Sequence, residues 1–450
     1  MKRRSFVKLS APFTLGSILG KGLNPIAIDN FGLSAALNCN YTDRSVVIIQ
    51  LLGGNDGLNM LVPLDQYDRY KQLRPTIGLP NTGLDAVINL DNTLPTAGQL
   101  GLHPTMTGLK DLYDAGKVKI IQGVGYPGMN RSHFAGVDLW LKGNGAGSKY
   151  NYNTGWMGRF LKASYPNLIG RPTLTKPDPV GIRLSGSSLA FHVEGSYPTN
   201  VKINQDPAAF YNQVQNAGLP PIADIPNSDH GKALRFISSV ENTAKSYSGR
   251  ISETFNAGTN TVSYPDNSLS NQLKSVARLI SGGCKTKVFY TAFGEFDTHG
   301  GQVVSGNPTI GTHANYLQEL SSSIKAFQTD LTNQNLDNQV LSATFSEFGR
   351  TAYQNGSSGT GHGTSAPMLL IGSGLNPGVL GDVPTLSNLS YYWSLVQYDY
   401  RSVFSTILQD WLGADGSIID SVGFNNFIGN KPPLILDSMK VDPSCYYSPS

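Results

Sequence analysis

The sequence predicts an α/β protein, a three-layer sandwich around a mostly parallel central sheet. Two patterns carry that reading. Five runs are apolar, β-branched and nearly unbroken: 45–52 (SVVIIQLL), 117–124 (KVKIIQGV), 287–293 (KVFYTAF), 339–345 (QVLSATF) and 367–374 (PMLLIGSG). Continuous hydrophobicity over such short runs suits strands covered on both faces. Helical stripes lie between or after them. Leu317, Leu320, Ile324, Phe327 and Leu331 fall on one helix face, as do Leu269, Leu273, Val276 and Ile280. Val403, Phe404, Ile407, Leu408 and Trp411 form a third stripe near the C-terminus. Strands alternating with such helices build parallel sheets with helices on both faces.

The chain begins with a basic segment, Lys2 to Lys8, followed by the uncharged stretch 9–20. That order fits an export signal peptide, and the stretch is too short to span a bilayer. Arg3-Arg4-Ser5-Phe6-Val7-Lys8 resembles a twin-arginine signal. Residues 1–38 are therefore read as a leader, with cleavage near Ser34-Ala35-Ala36, and 39–450 as one domain. The expected location is the periplasm or the cell surface. Residues from about 145 to 225 are rich in Gly, Pro, Asn, Ser and Tyr and read as a loop-rich insertion.

Charge supports this division. The whole chain is +3, but five basic residues and one acidic residue lie in 1–38. The remainder holds 29 basic and 30 acidic residues, net −1. A nucleic-acid binder needs clustered Lys and Arg, so that class is excluded. No apolar run is long enough for a transmembrane helix. Cys39, Cys284 and Cys445 form no CxxC pair. In an oxidising compartment a Cys39–Cys445 bridge is the pairing to test, with Cys284 a buried small hydrophobe.

The chemistry gathers where strands end, as open α/β sheets require. After the first run comes Gly53-Gly54-Asn55-Asp56-Gly57, and after the third Phe296-Asp297-Thr298-His299-Gly300. The fourth runs into Ser346-Glu347-Phe348-Gly349-Arg350, and Gly361-His362-Gly363 precedes the fifth. Asp56, Asp297, His299, Glu347 and His362 are thus candidate metal ligands. Carboxylates mixed with neutral imidazoles suit Zn²⁺ or Mn²⁺ better than Ca²⁺ or Mg²⁺. Plainer readings stand beside each: Asp56 as a turn residue, Glu347 with Arg350 as a surface ion pair. After the second run, Asn130-Arg131-Ser132-His133-Phe134 opens a helix. Ser132 is either a nucleophile, with Arg131 or His133 contacting an anion, or an N-cap.

The motifs together resemble the DUF1501 family of exported bacterial proteins. The segments that carry the resemblance are QLLGGNDGLNMLVP (50–63), GLHPTMTGLKDLYDAGKVKIIQGVGYPGMNRSHF (101–134), FDTHGGQ (296–302), SEFGRT (346–351), TGHGTSAPMLLIG (360–372) and DYRSVFSTILQDWLG (399–413). The family is similar, remotely, to the alkaline phosphatase and sulfatase superfamily. That resemblance implies an alkaline phosphatase-like fold, a divalent metal and a hydrolase acting on an anionic ester, either a phosphate or a sulfate. It implies Asp56 as the first-strand ligand, Ser132 as the nucleophile, Asp297 and His299 as one ligand pair, and His362 as a late ligand. Two departures bear on activity. Glu347 stands where the superfamily has an Asp-His pair, and Gly361 where many relatives have Asp. A non-catalytic envelope or surface protein that binds a glycan is the alternative expectation. The Cys/Ser-x-Pro-x-Arg signature of sulfatases is absent.

Overall fold

The structure, a computed structural model, describes residues 43–442 except 150, 195–197, 204–206, 217–224, 226–227, 388 and 390–394. The expected leader, its cleavage site and the Cys39–Cys445 pairing lie outside the described residues. Cys284 is buried and free.

The strands are numbered along the chain. The first five are β1 (Ser45–Leu51), β2 (Leu61–Pro63), β3 (Ile88–Asn89), β4 (Leu100–Leu102) and β5 (Val118–Gly125). Then come β6 (Gly181–Arg183), β7 (Val201–Lys202), β8 (Val288–Phe293) and β9 (Val340–Ser346). The last are β10 (Arg350–Gln354), β11 (Thr360–His362), β12 (Ala366–Ile371), β13 (Gly378–Leu380) and β14 (Tyr398–Asp399). The central sheet runs β13-β5-β12-β9-β1-β8-β6-β7, with β14 also paired to β5. The five apolar runs are its five long strands. The short strands β6 and β7, from the segment expected to be an insertion, extend it beyond β8 in parallel.

Alternation along each strand divides the core in two. Val46 and Ile48 of β1 face one apolar cluster, with Tyr290, Leu341, Phe345 and Leu370. Val47, Ile49 and Leu51 face the other, with Phe289, Val340 and Leu369. Successive side chains point to opposite faces, so unbroken apolar runs are what a doubly covered sheet needs. Helices His133–Lys142, Trp156–Ser164 and Tyr400–Thr406 pack on the first face. Helices Thr107–Asp114, Ser268–Ser281 and Thr312–Asn333 pack on the second. This is the three-layer sandwich the sequence predicted. The C-terminal stripe is not one regular helix, since Ile407–Trp411 widens into a π-turn.

One strand runs against the others, and it positions the site. β12 is antiparallel to both β5 and β9. Its start, Ala366, therefore pairs with Val124 near the carboxyl end of β5. The chain leaves β9, folds into the β10–β11 hairpin and enters β12 from the same side. His362, which precedes a strand, thereby reaches the edge where the other candidates follow strands. Among the described residues no helix is long and apolar enough to cross a membrane.

Candidate metal centre

Ser132 starts the helix His133–Lys142, with extended backbone at φ −86° and ψ 129°. The helix is tied to the sheet by Trp140, whose indole Nε1 donates to the Glu347 carbonyl at 3.0 Å. That anchorage brings His133 over the end of β9. Gly53 and Gly54 lie in the left-handed region, at φ +102° and +76°. Their turn lets the backbone after β1 approach the β8 loop so closely that a Cβ on Gly53 would stand 2.6 Å from the Asp297 nitrogen. The β10–β11 hairpin sets Arg350 opposite His362.

His133, Asp297 and His362 converge, with one ligand atom from each within 4.8 Å of the others. His133 Nε2 lies 3.1 Å from His362 Nε2 and 3.4 Å from Asp297 Oδ2. His299 closes the outer side, its Nε2 2.8 Å from His362 Nε2 and 3.1 Å from Asp297 Oδ1. It is half exposed, whereas His133 and His362 are partly buried against the Phe348 ring.

Hydrogen bonding fixes which nitrogens carry protons. His133 Nδ1 lies 2.8 Å from Glu347 Oε1, and His362 Nδ1 lies 2.7 Å from the Arg131 carbonyl. A carboxylate and a carbonyl only accept, so both Nδ1 atoms are protonated. In the neutral rings both Nε2 lone pairs then face each other, beside a carboxylate oxygen. Two lone pairs at 3.1 Å repel unless a proton or a cation lies between them. An imidazole held through Nδ1–H to a carboxylate or carbonyl, with Nε2 aimed inward, is the usual posture of a metal-ligating histidine. The donor set therefore fits a metal ion.

The titration behaviour follows from the same contacts. The hydrogen bond that His133 donates to Glu347 raises the His133 pKa above the ordinary imidazole value, against the opposing effect of burial. Burial lowers that of His362. Burial alone would raise the Asp297 carboxyl, but the Arg350 guanidinium, 2.6 Å from Oδ1, holds it below the usual carboxylate range.

Two expected ligands stand elsewhere. Asp56 is fully buried, and Arg74 grips it with both terminal nitrogens, at 2.6 Å to Oδ2 and 2.9 Å to Oδ1. Gln302 donates to Oδ2 at 2.6 Å. Burial would raise this carboxyl, yet Arg74 keeps it low. The reading of Asp56 as a ligand is corrected: its oxygens are already spent on a guanidinium. Glu347 is also displaced from the ligand set. It is buried behind His133, where Oε1 accepts from His133 and from the Gly53 N–H at 2.8 Å. The surface pair of Glu347 with Arg350 does not form, because Arg350 turns to Asp297. The sequence pointed neither to Arg74, which no motif marks, nor to the backbone carbonyl of Arg131, whose side chain alone was a candidate.

Ser132 is exposed, and its side chain makes no capping bond to the helix it opens. It shares a cleft of about 730 Å³ with Asn130, Arg131, Gly361 and His362. On the other side a groove of about 890 Å³ is lined by His133, Phe134, Val137, Leu189, Glu295 and Asp297, among others. Phe134 is 91% exposed there.

Several solved structures show distant likenesses to the chain. An alkaline phosphatase superfamily protein from Vibrio parahaemolyticus is 10% identical, with a TM-score of 0.31 over 76% of this chain and 63% of that one. The chain thus spans less than two thirds of that protein's length. The PsFucS1 sulfatase from Pseudoalteromonas sp. is 11% identical, with a TM-score of 0.32 over 83% and 69%. Alkaline phosphatase from the Antarctic bacterium TAB5 is 12% identical, with a TM-score of 0.28 over 73% and 91%. No curated protein matches the chain. The model of the family described as "Protein of unknown function (DUF1501)" matches residues 43–415, and the chain belongs to that family.

Proposed function

We propose that this is an exported, divalent-metal-dependent hydrolase of phosphate or sulfate esters, acting at the His133–Asp297–His362 centre. The carrying observation is the pair of Nδ1-locked imidazoles whose Nε2 lone pairs meet beside Asp297. His133, His362 and Asp297 Oδ2 would hold the ion, with His299 as an outer donor. Such an ion supplies Lewis-acid polarisation of an ester oxygen. Glu347 orients His133, and the Arg131 carbonyl orients His362. Ser132, exposed in the cleft beside His362, is the assigned nucleophile, and the Arg131 backbone holds that cleft against the centre. The export reading rests on the leader sequence.

The test is hydrolysis of aryl phosphate and aryl sulfate esters by the purified chain, before and after chelation and with Zn²⁺ or Mn²⁺ restored. Turnover that disappears on chelation, returns with metal and is lost in Ser132→Ala supports the reading. No turnover in any metal-loaded state removes it.

A second reading is a non-catalytic glycan-binding surface protein. What favours it is the larger groove, where the charged lining residues Asp138, Glu295, Asp297 and Glu347 are all acidic and Phe134 stands out as an exposed ring. Aromatic rims suit sugar faces, and an acidic wall disfavours an anion. Glycan binding without hydrolysis would select it.

A further inference from the structure

Arg350 is fully buried. Its Nε donates to the Gly54 carbonyl at 2.7 Å and its Nη1 to that of Thr360 at 3.3 Å. Its Nη2 reaches the carbonyls of Phe296 at 3.1 Å and Gly53, and Asp297 Oδ1 at 2.6 Å. Four carbonyls and a carboxylate, from the β1 loop, the β8 loop and the β10–β11 hairpin, thus surround one guanidinium. All-oxygen convergence of this kind is how a chain cages a hard cation. Here the chain's own guanidinium fills the cage. The left-handed turns at Gly53 and Gly54 aim two of the carbonyls, and a Cβ on Gly54 would strike the Phe348 ring.

The consequence falls on Asp297. Oδ1 is committed to Arg350 and also lies nearest His299 Nε2 and His362 Nε2, at 3.1 and 3.4 Å, whereas Oδ2 has no arginine partner and stands 3.4 Å from His133 Nε2. We propose that the centre takes one divalent ion and not two, with Arg350 as a built-in second cation and as the positioning residue that selects Asp297 Oδ2 as the ligand atom. The proposal rests on the metal reading above. It also fixes the sign of the site. Arg350, Asp297 and Glu347 sum to one formal negative charge, which a single divalent ion turns to one positive.

The test is native mass spectrometry and calorimetric titration of the purified chain with Zn²⁺, counting ions whose binding is lost in His362→Ala. One such ion per chain is expected. Arg350→Lys keeps the charge but loses the planar fork. It is expected to weaken Zn²⁺ binding about 10–100-fold, the usual cost of losing a group that orients a ligand. It should also shift the visible absorption of the Co²⁺-loaded chain, which a merely structural change remote from the ion would leave alone. Two ions per wild-type chain overturn the proposal while leaving the metal reading standing, and this count decides even if Arg350→Lys does not fold. A folded Arg350→Lys with wild-type affinity and spectrum overturns the positioning role. No ion in the wild type removes the metal reading and this inference with it.

Discussion

Asp56 and Asp297 make an instructive pair. Each follows a strand of the same sheet, each sits in a Gly-rich loop, and each has a buried arginine as partner. Their fates differ because of what happens to the second oxygen. Asp56 is sealed, with both oxygens bonded and no exposure. Asp297 is 41% exposed, and Arg350 takes only Oδ1. The first carboxylate is a lock that ties the β1 loop to Gln302 of the β8 loop. The second keeps Oδ2 clear of its arginine, 3.4 Å from His133 Nε2. Of the two carboxylates, only Asp297 therefore has an oxygen that its arginine leaves unclaimed.

Breaking the lock should give the largest effect on stability. Asp56→Ala leaves a buried guanidinium without its counter-charge, which typically costs about 3–5 kcal/mol. Urea denaturation should show that loss, while Zn²⁺ affinity per folded molecule stays near wild type. If instead ion binding vanishes in the folded fraction, Asp56 is a ligand after all.

His362→Ala should do the reverse. Ion binding is expected to be lost, while the ion-free chain stays within about 1 kcal/mol of wild type, as for a partly exposed side chain outside the core. Calorimetric titration and ion-free melting separate the two effects, and unchanged affinity would contradict the assignment.

A milder change is Glu347→Gln, which keeps an acceptor for the His133 Nδ1–H but removes the charge. Zn²⁺ affinity should fall about tenfold, at the low end for an orienting partner. An undiminished affinity would reduce Glu347 to a packing role.

The smallest and most graded effect is that of pH. Because Glu347 raises the His133 pKa, the ion-free centre keeps its proton to a higher pH than an ordinary histidine. A bound ion must displace that proton, so affinity should strengthen from about pH 5 to about pH 8 with measurable proton release. The sign for folding is opposite. The His133–Glu347 pair stabilises the ion-free fold fully below the ordinary imidazole value, and that contribution fades as pH rises through the raised one. Calorimetry in buffers of different ionisation enthalpy reads the proton count, and affinity flat across this range would contradict the linkage.

Much of the fold was legible in the residues. The five apolar runs are the five long strands, because a strand covered on both faces must be apolar at most positions, with polar exceptions such as Gln50 and Lys119 buried. The direction of β12 was not legible, since apolar alternation is the same read either way. The strands β6, β7, β13 and β14 were also hidden, being too short for any pattern. At the site, residue type gave the neighbourhood: Asp297, His299 and His362 were chosen for standing at strand ends. It could not tell Asp56 from Asp297. That distinction depends on Arg74 and Arg350, one 18 residues beyond Asp56 and the other 53 beyond Asp297, meeting them only through the fold. Glu347 was singled out as a strand-end carboxylate but not as the partner of an imidazole 214 residues away.

In the proposed centre His133, His362 and Asp297 share one ion while Asp56 has none. Anomalous diffraction at the zinc edge, from crystals of the chain grown with Zn²⁺, tests it most directly. One strong peak is expected within bonding distance of His133 Nε2, His362 Nε2 and Asp297 Oδ2, with Arg350 still on Oδ1. A peak at Asp56, or no peak among the three side chains, would contradict it.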